Sequence, residues 1–424
     1  MTPSTALVRD ARSRLLVAGR GCVVLALFCV PLNKPLTSCF IVLAGLASLA
    51  GAETRARWRQ AWHDPIAKGM LVWAAVLLAS ALHALAAGHG GSALRGSSLW
   101  TFLLPMVVAS LLQTPQQRWR ALYGFAAGTT LVLLASWLMA AGLLPQRAIA
   151  EQMASMRNTV FKEYTQQGLA TLLLAAFALS RLPRAATRPR HWLAIAIAVL
   201  ALLNVALLLG SRTSYLAAVP LLLYWLWVVC RATAWRWRLH LPVIGLCLVV
   251  GGSAIAVSDI GERLLRSVST EVSRYAQHGD ATSSGTRLWL WQHTVDMVSE
   301  APMLGRGLGQ WRPQYQTRMD DIQGAAPFIV AHPHQEYLLV LAEEGALGFA
   351  ALLILLVLLA RVIQRLPAPQ RHFFNSVLIL YLVAGLGNGL VSDYTHRNTF
   401  VLLLSCMPAV AVWARRNARV DRHD

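Results

Sequence analysis

Apolar residues in this chain gather into long blocks. They do not alternate with polar ones at the period of a helix face or a strand. Apolar windows lie near 15–31, 36–51, 67–87, 98–113, 119–143, 165–181, 191–209, 213–230, 239–258, 336–360, 372–390 and 398–414. Most approach the roughly 17–25 residues that a helix needs to cross a bilayer. The pattern predicts an all-α polytopic membrane protein with twelve transmembrane helices. One hydrophilic stretch interrupts it, Asp259 to Gln335, which ends in His332-Pro333-His334-Gln335-Glu336 at the mouth of the tenth span. The chain therefore divides into residues 1–258 with nine spans, a loop domain over 259–335, and residues 336–424 with three spans and a tail.

Basic residues fix an orientation. Arg55, Arg57 and Arg59; Arg118 and Arg120; Arg181, Arg184, Arg188 and Arg190; Arg231, Arg236 and Arg238; and Arg361, Arg365 and Arg371 occupy every second connection. Lys and Arg accumulate on the cytoplasmic side of membrane proteins. Both termini, which carry Arg9, Arg12, Arg14, Arg415, Arg416, Arg419 and Arg422, are assigned there. The loop from Asp259 to Gln335 and the hairpin Gly210–Thr213 then face outward. The basic start followed by apolar residues is reminiscent of a signal peptide. It lacks a small-x-small cleavage site and further spans follow, so it reads as a retained first helix.

Composition agrees with a membrane chain: 424 residues, 56% hydrophobic, 13% charged, mean hydropathy +0.51. Soluble domains carry about 25% charged residues. The net charge of +19 sits in short clusters between spans, so topology explains it better than a nucleic-acid partner. All six cysteines lie in or beside apolar spans, and none forms a metal-type CxxC pair, which argues against a disulfide framework or zinc site.

The outer side nevertheless holds Arg147, Arg157, Lys162, Arg212, Arg287, Arg306, Arg312, Arg318 and Arg397. Arg212 sits at the junction of two spans with no acidic neighbour in sequence, a costly place for a charge without a partner or a task. Four outer patches carry candidate chemistry. They are Gly210-Ser211-Arg212-Thr213-Ser214; Ser283-Ser284-Gly285-Thr286-Arg287 with a helical run through Trp289, Trp291, Val295 and Met297; Pro302 to Gly309; and His334-Gln335 followed nine residues later by Gly345-Ala346-Leu347-Gly348.

A guanidinium binds phosphate through two parallel hydrogen bonds and stays charged at physiological pH. Arg212 and Arg287, from separate loops, are thus suited to clamp a diphosphate and stabilise it as a leaving group. His334 is a proton acceptor within reach of neutral pH. Histidine at a helix start also serves as a cap, and Glu336, Glu343 and Glu344 are alternative bases. Arg157, Lys162, Arg306 and Gln335 join the arginine pair as candidate substrate-binding residues. Arg306, Arg312 and Arg318 also suit surface or lipid-phosphate contacts. The glycines at 305, 307 and 309 also fit a plain flexible turn, and Trp289 and Trp291 fit interfacial anchors. The outer face offers no Asp-x-Asp pair, and His332, His334 and Glu336 would not share a helix face, so no metal is expected.

The run His334-Gln335-(nine residues)-Gly345-Ala346-Leu347-Gly348 resembles the His-[Asn/Ser/Gln]-x9-Gly-x-x-[Gly/Thr/Tyr] signature of bacterial O-antigen ligases. Gly210-Ser211-Arg212 is similar to the Gly-Ser-Arg element of the wider ligase/polymerase superfamily. Ser284-Gly285-Thr286-Arg287 with Pro302, Gly305 and Gly307 resembles its Ser-Gly-Arg and Pro-x-x-Gly-x-Gly segment, with Thr286 as an extra residue. The resemblance implies an inner-membrane glycosyltransferase of GT-C type with a periplasmic active site. It would join O-antigen glycan from undecaprenyl diphosphate to a hydroxyl of lipid A–core, inverting the anomeric carbon without metal or other cofactor. Arg212 and Arg287 would hold the diphosphate and His334 would act as base. O-antigen polymerases and protein O-oligosaccharyltransferases share parts of the pattern, and the short tail favours the lipopolysaccharide ligase over the latter. A transporter or flippase would suit the many spans. Against it, the polar residues concentrate on one face, and ionisable residues are scarce mid-span apart from Arg20.

Overall fold

The computed structural model describes residues 3–88, 99–149, 156–161, 163–182, 189–232, 270–273, 283–321 and 330–408, and among them every regular element is helical. In chain order these are α1 (Pro3–Cys29), α2 (Lys34–Ala50), α3 (Thr54–Ala61), α4 (Pro65–Ala86), α5 (Leu104–Leu111, entered through a 3-10 turn Leu99–Leu103), α6 (Pro115–Ala140) and α7 (Tyr164–Ser180). There follow α8 (Pro189–Leu203, continued by a π turn Asn204–Leu208), α9 (Arg212–Ala232), α10 (Ser283–Glu300), α11 (Trp311–Asp321), α12 (Glu336–Gln364), α13 (Ala368–Ala384) and α14 (Tyr394–Ser405).

Helices occupy the apolar windows read from the sequence, apart from 239–258, which lies outside the described residues. Length and apolarity together qualify four of them to cross a membrane: α4, α6, α9 and α12. The count rises to five if α2 and α3, bent by 116°, form one broken span. Among the described residues the other helices fall short of that test in length or in apolar composition, α1 (27 residues) in the latter. The bend has a local cause: Gly51 and the left-handed Glu53 (φ 54°) separate the two pieces.

Close helix contacts rest on small residues, as expected where lipid cannot drive association by burial. A Cβ at Gly124 would lie 2.5 Å from the Val24 carbonyl oxygen and one at Gly128 2.1 Å from that of Phe28, so α6 and α1 touch through backbone. The aromatic rings of Trp119, Phe177 and Phe373 pack edge-on or tilted between α6, α7 and α13 at centroid distances of 5.5–6.3 Å.

One end of the bundle collects helix termini around two buried arginines. Arg57 donates to the carbonyls of Ser48 (3.1 Å) and Ser110 (3.2 Å), near the C-terminal ends of α2 and α5. Arg118 donates to Leu112 (2.9 Å), to the Met407 carbonyl, and to Asp64 (2.8 Å), the N-cap of α4. Carbonyls at a helix C-terminus lack intrahelical donors and carry partial negative charge, so buried guanidinium groups are well matched there. Arg20, which lies mid-window in the sequence, belongs to this end too and donates to the Leu111 carbonyl at 3.0 Å. The start of α9 and the loops before α12 and α14 lie at the opposite ends of their helices, and there the outer patches assemble.

Two helices described within the hydrophilic stretch, α10 and α11, pack on the first turns of α12. Leu290 and Met297 of α10, Trp311, Tyr315 and Met319 of α11, and Leu339 and Ala342 of α12 form a small core of their own. The helical run read through Trp289 and Met297 is therefore present, but its buried stripe is Leu290 and Met297, while Val295 is exposed.

Candidate active site

The Gly210-Ser211-Arg212 hairpin is built by a cap. Ser211 Oγ accepts the Ser214 backbone N–H at 3.2 Å, which is the N-cap geometry that starts a helix, and Arg212 becomes the first residue of α9. The Ser214 hydroxyl lies 2.8 Å from that of Ser211, and a Cβ at Gly168 would fall 2.2 Å from it, so α7 and α9 meet closely at this point. A polar brace holds the preceding strand of chain: Asn204 Nδ2 donates to Ser136 Oγ (2.9 Å), which donates to the Asn158 carbonyl (2.7 Å). An arginine at a helix N-terminus faces the positive end of the helix dipole. That unfavourable placement is offset by a carboxylate.

The carboxylate is Glu271, which receives Nη2 of Arg212 at 2.7 Å and Nη1 at 3.0 Å, one oxygen each. Glu271 also accepts the Ser284 backbone N–H at 3.0 Å, and Arg212 reaches Ser284 Oγ at 3.2 Å. The Arg212 hydrogen bond is the main cause that holds the Glu271 carboxyl down at about 2, against a smaller opposing effect of burial. The Ser-Gly-Thr-Arg segment thus opens α10 directly against the Arg212 hairpin. One turn further, Arg287 is half-buried and close enough to Tyr164, Arg212 and Glu271 for their charges to act on it. Burial pushes its guanidinium pKa down, as does the charge of Arg212, while Tyr164 and Glu271 oppose this.

His334 comes to the same place from a third segment. It lies in the turn before α12 with φ +55°, a left-handed conformation uncommon for a residue with a side chain. Three contacts hold it: Trp291 Nε1 donates to the Pro333 carbonyl (3.0 Å), the His334 N–H donates to His332 Nδ1 (3.2 Å), and His334 Nδ1 meets Asn388 Oδ1 (3.3 Å). Trp291 is therefore bonded to the histidine turn, a role that the interfacial-anchor reading did not foresee. Burial lowers the His334 pKa below 6.5 and the positive charge of Arg287 adds to that, against the hydrogen bond with Asn388. His332 is pushed further, to about 4, by burial and then by His334 and His396, with Asp393 opposing. Both shifts favour the neutral ring.

The two glycine motifs fit into one another. At Gly345 (φ 67°, ψ −170°) α12 breaks, which frees carbonyls before the break and N–H groups after it. The turn Pro302–Gly309 inserts there and satisfies them. Arg306 N donates to the Ala342 carbonyl (2.9 Å) and Gly307 N to that of Glu343 (2.8 Å), while Ala346 N donates to Pro302 (2.8 Å) and Leu347 N to Met303 (3.2 Å). A Cβ on Gly305 would lie 2.4 Å from the Glu343 carbonyl oxygen, so only glycine admits this approach. The turn is a backbone clasp between the loop domain and α12, more defined than a flexible connection.

The structure brings together Arg212, Arg287 and His334 and places the other candidates differently. The Arg306 guanidinium pairs with Glu300, which also takes Arg318. Gln335 is the N-cap of α12, its side-chain oxygen accepting the Leu338 N–H. Arg157 is exposed beside Asn158, and Lys162 lies outside the described residues. Three residues that sequence reasoning passed over belong to the cluster. Tyr164 and Glu271 carried no motif. Asn388 stood in the Gly385–Gly389 turn, whose glycines and asparagine at a span end were its only signal.

Chemically, the cluster pairs two guanidinium groups suited to a two-oxygen anion with a neutral imidazole able to accept a proton. The O-antigen ligase family matches residues 196–353, which take in Arg212, Arg287, His334 and the helix break at Gly345. Among curated proteins none matches the chain.

Proposed function

We propose that this chain, a member of the O-antigen ligase superfamily, transfers an O-antigen glycan from undecaprenyl diphosphate to a sugar hydroxyl of lipid A–core at the periplasmic face of the bacterial inner membrane. The superfamily implies a membrane glycosyltransferase-like enzyme that uses a lipid-linked glycan and a lipid acceptor. The finer reading rests on one observation: side chains 75 and 47 positions apart in sequence (212 to 287, 287 to 334) converge so that Arg287 feels the charge of Arg212 and His334 feels that of Arg287.

In this reading the acceptor hydroxyl gives its proton to His334 Nε2 as its oxygen attacks the anomeric carbon. The bond from that carbon to the diphosphate oxygen breaks and the electron pair leaves on the diphosphate, so the anomeric carbon inverts in a single displacement. The leaving group gains one negative charge, and Arg212 and Arg287 are positioned to stabilise it as it develops. The diphosphate presents the same two-oxygen geometry as Glu271 and competes with it for the Arg212 fork. The donor side needs no divalent ion, since the guanidinium pair supplies the positive charge.

The test is genetic and biochemical. A strain lacking the protein is expected to make rough lipopolysaccharide and to retain carrier-linked O-antigen, and the purified protein is expected to join defined donor and acceptor lipids. Single-repeat units on the core of that strain would instead identify a polymerase, and unaltered O-antigen attachment would reject the ligase reading.

A further inference from the structure

Beside the arginine–histidine cluster lies a cavity of about 530 Å³ that His332 lines and that extends along the first turns of α12 to Trp73 of α4. Neither Arg212 nor Arg287 is among its lining residues. The His332 and His334 rings stand edge to face with centroids 4.6 Å apart, so the cavity approaches His334 through His332. Its volume falls in the range of roughly 300–1,000 Å³ typical of small-ligand sites.

Three residues of the lining carry a polar atom that the fold leaves unpaired. Glu344 is only 5% exposed, and its Oε1 has no hydrogen-bond partner among the described residues. Arg397 is 6% exposed; its Nη1 donates to the Val391 and Ser392 carbonyls, but its Nε has no partner. Ser392 Oγ is likewise unpaired. Buried polar atoms without partners are costly, and the three residues that carry these all line the one cavity.

The neighbouring carboxylates bond backbone N–H groups elsewhere in the fold, whereas Glu344 Oε1 has no partner among the described residues. Glu336 accepts the Val391 N–H at 3.0 Å, and Glu343 accepts the Trp311 N–H at 3.0 Å at the start of α11. The ligand's chemistry follows from the balance. Among the described residues, Glu336, Glu343 and Glu344 stand with Arg312 and Arg397, so the lining mixes hydrogen-bond acceptors with donors and sets no purely cationic patch apart. An unpaired donor (Arg397 Nε), an acceptor oxygen (Glu344 Oε1) and a hydroxyl able to do either (Ser392) match a group that both gives and accepts hydrogen bonds. Trp73 and Phe102 add aromatic surface to the wall. Sugar hydroxyls on a ring fit this combination.

We infer that this cavity seats an uncharged sugar of the acceptor, with Glu344, Ser392 and Arg397 as its hydrogen-bonding residues. Naming the occupant as acceptor rests on the proposed ligase reading. The cavity as a sugar site rests on its own lining. The diphosphate belongs on the arginine side and the nucleophilic sugar on this side, with the two histidines between them.

The experiment uses the full chain in detergent or nanodiscs and, as probe, core oligosaccharide freed from lipid A. Saturation-transfer NMR is expected to detect its binding to the wild type, and Glu344→Gln and Ser392→Ala are each expected to weaken it at least fivefold. In ligation assays the acceptor KM should rise by a similar factor with the donor KM within twofold. Glu344→Gln should also raise Tm, because it removes a buried unpaired carboxylate; a residue with a merely structural duty would lower it. Absent binding to the wild type, or unchanged binding in both variants, overturns the inference. If oligosaccharide binding depends on Glu344 but no transfer from a carrier-linked donor occurs, the sugar site stands and the reaction reading falls. If transfer depends on Arg287 while both variants keep wild-type acceptor KM, the reverse holds.

Discussion

His334 Nδ1 lies 3.3 Å from Oδ1 of Asn388, and that same oxygen accepts the Gly389 backbone N–H at 3.1 Å. A backbone N–H only donates, so the Asn388 atom between them is an oxygen and His334 Nδ1 must carry the proton. Nε2 is left with its lone pair, the state a general base requires. Loss of this partner frees the imidazole to adopt the other tautomer. Asn388→Ala is expected to lower kcat about tenfold or more with little change in donor KM, since positioned acid–base catalysis contributes roughly 10²–10⁴ in rate. Asn388→Asp keeps the acceptor and adds a negative charge, which should raise the imidazole pKa and move the acid limb of the kcat–pH profile upward. An unchanged profile in Asn388→Asp would show that the asparagine does not address the reacting histidine.

The pH dependence has a definite sign. The folded protein holds His334 below 6.5, chiefly through burial and then through Arg287. Between the folded and unfolded pKa values the unfolded chain binds more protons, so this histidine costs stability as pH falls through that window and nothing above it. Activity should persist below pH 6.5 and decline only as the ring protonates. Arg287→Gln removes a nearby positive charge and should shift the acid limb of its residual activity toward higher pH. Arg287→Lys should leave the limb in place while losing the two-pronged contact. Both are expected to reduce kcat by about 10²–10³, the usual effect of removing one group that stabilises developing charge. Coincident acid limbs in the two variants would sever Arg287 from His334.

Glu271 occupies the Arg212 fork, and that contact keeps its carboxyl near 2. Its folded pKa is depressed, so its contribution to stability is present above the unfolded carboxylate value and is lost as pH falls toward 2. Both side chains are partly solvated, which limits the magnitude. Glu271→Gln keeps hydrogen-bonding ability but removes the charge that competes with a diphosphate. Donor KM is expected to fall a few-fold and Tm to drop slightly at pH 7. A donor KM that rises would mean that Glu271 serves to aim Arg212 at the donor.

These contacts show how far the sequence reaches. Apolar windows located the helices because burial in lipid selects whole segments, and the alternating arginines marked a bundle end because Arg57 and Arg118 do bind helix termini together there. Arg212 was legible as a charge in a place that is costly without purpose, and Arg287 and His334 as an anion binder and a proton acceptor within motifs of the hydrophilic stretch. Their partners were not. Glu271 and Asn388 are ordinary residues whose roles arise only when segments 59 and 54 positions away fold against them. Among the described residues four helices are long and apolar enough to cross a membrane by themselves, and apolar windows do not report where a helix bends at Gly51 or ends early. The glycine motifs were visible, but their purpose was not, because it lies in each other's backbone.

That mutual fit gives the last prediction. Gly345 has φ +67° and a Cβ there would sit 2.4 Å from the Met303 carbonyl, while the Cβ of an alanine at 305 would meet the Glu343 carbonyl at the same distance. Two penalties add in either variant: a left-handed conformation for a residue with a side chain, and steric overlap with backbone that cannot swing aside. Strain of about 1–3 kcal/mol from the conformation and about 1–3 kcal/mol from overpacking would be a large share of the stability of a domain. Gly142→Ala separates the two, since Gly142 has φ +74° but nothing within 4 Å of its missing Cβ. It is expected to cost about 1 kcal/mol, whereas Gly345→Ala and Gly305→Ala should lower Tm several times as far and expose the loop domain to protease. Because the clasp also sets the first turns of α12, the two alanine variants should lose transfer activity before they lose helix content by circular dichroism. Equal Tm losses in all three variants would leave conformation alone as the cause and remove the clasp from the account.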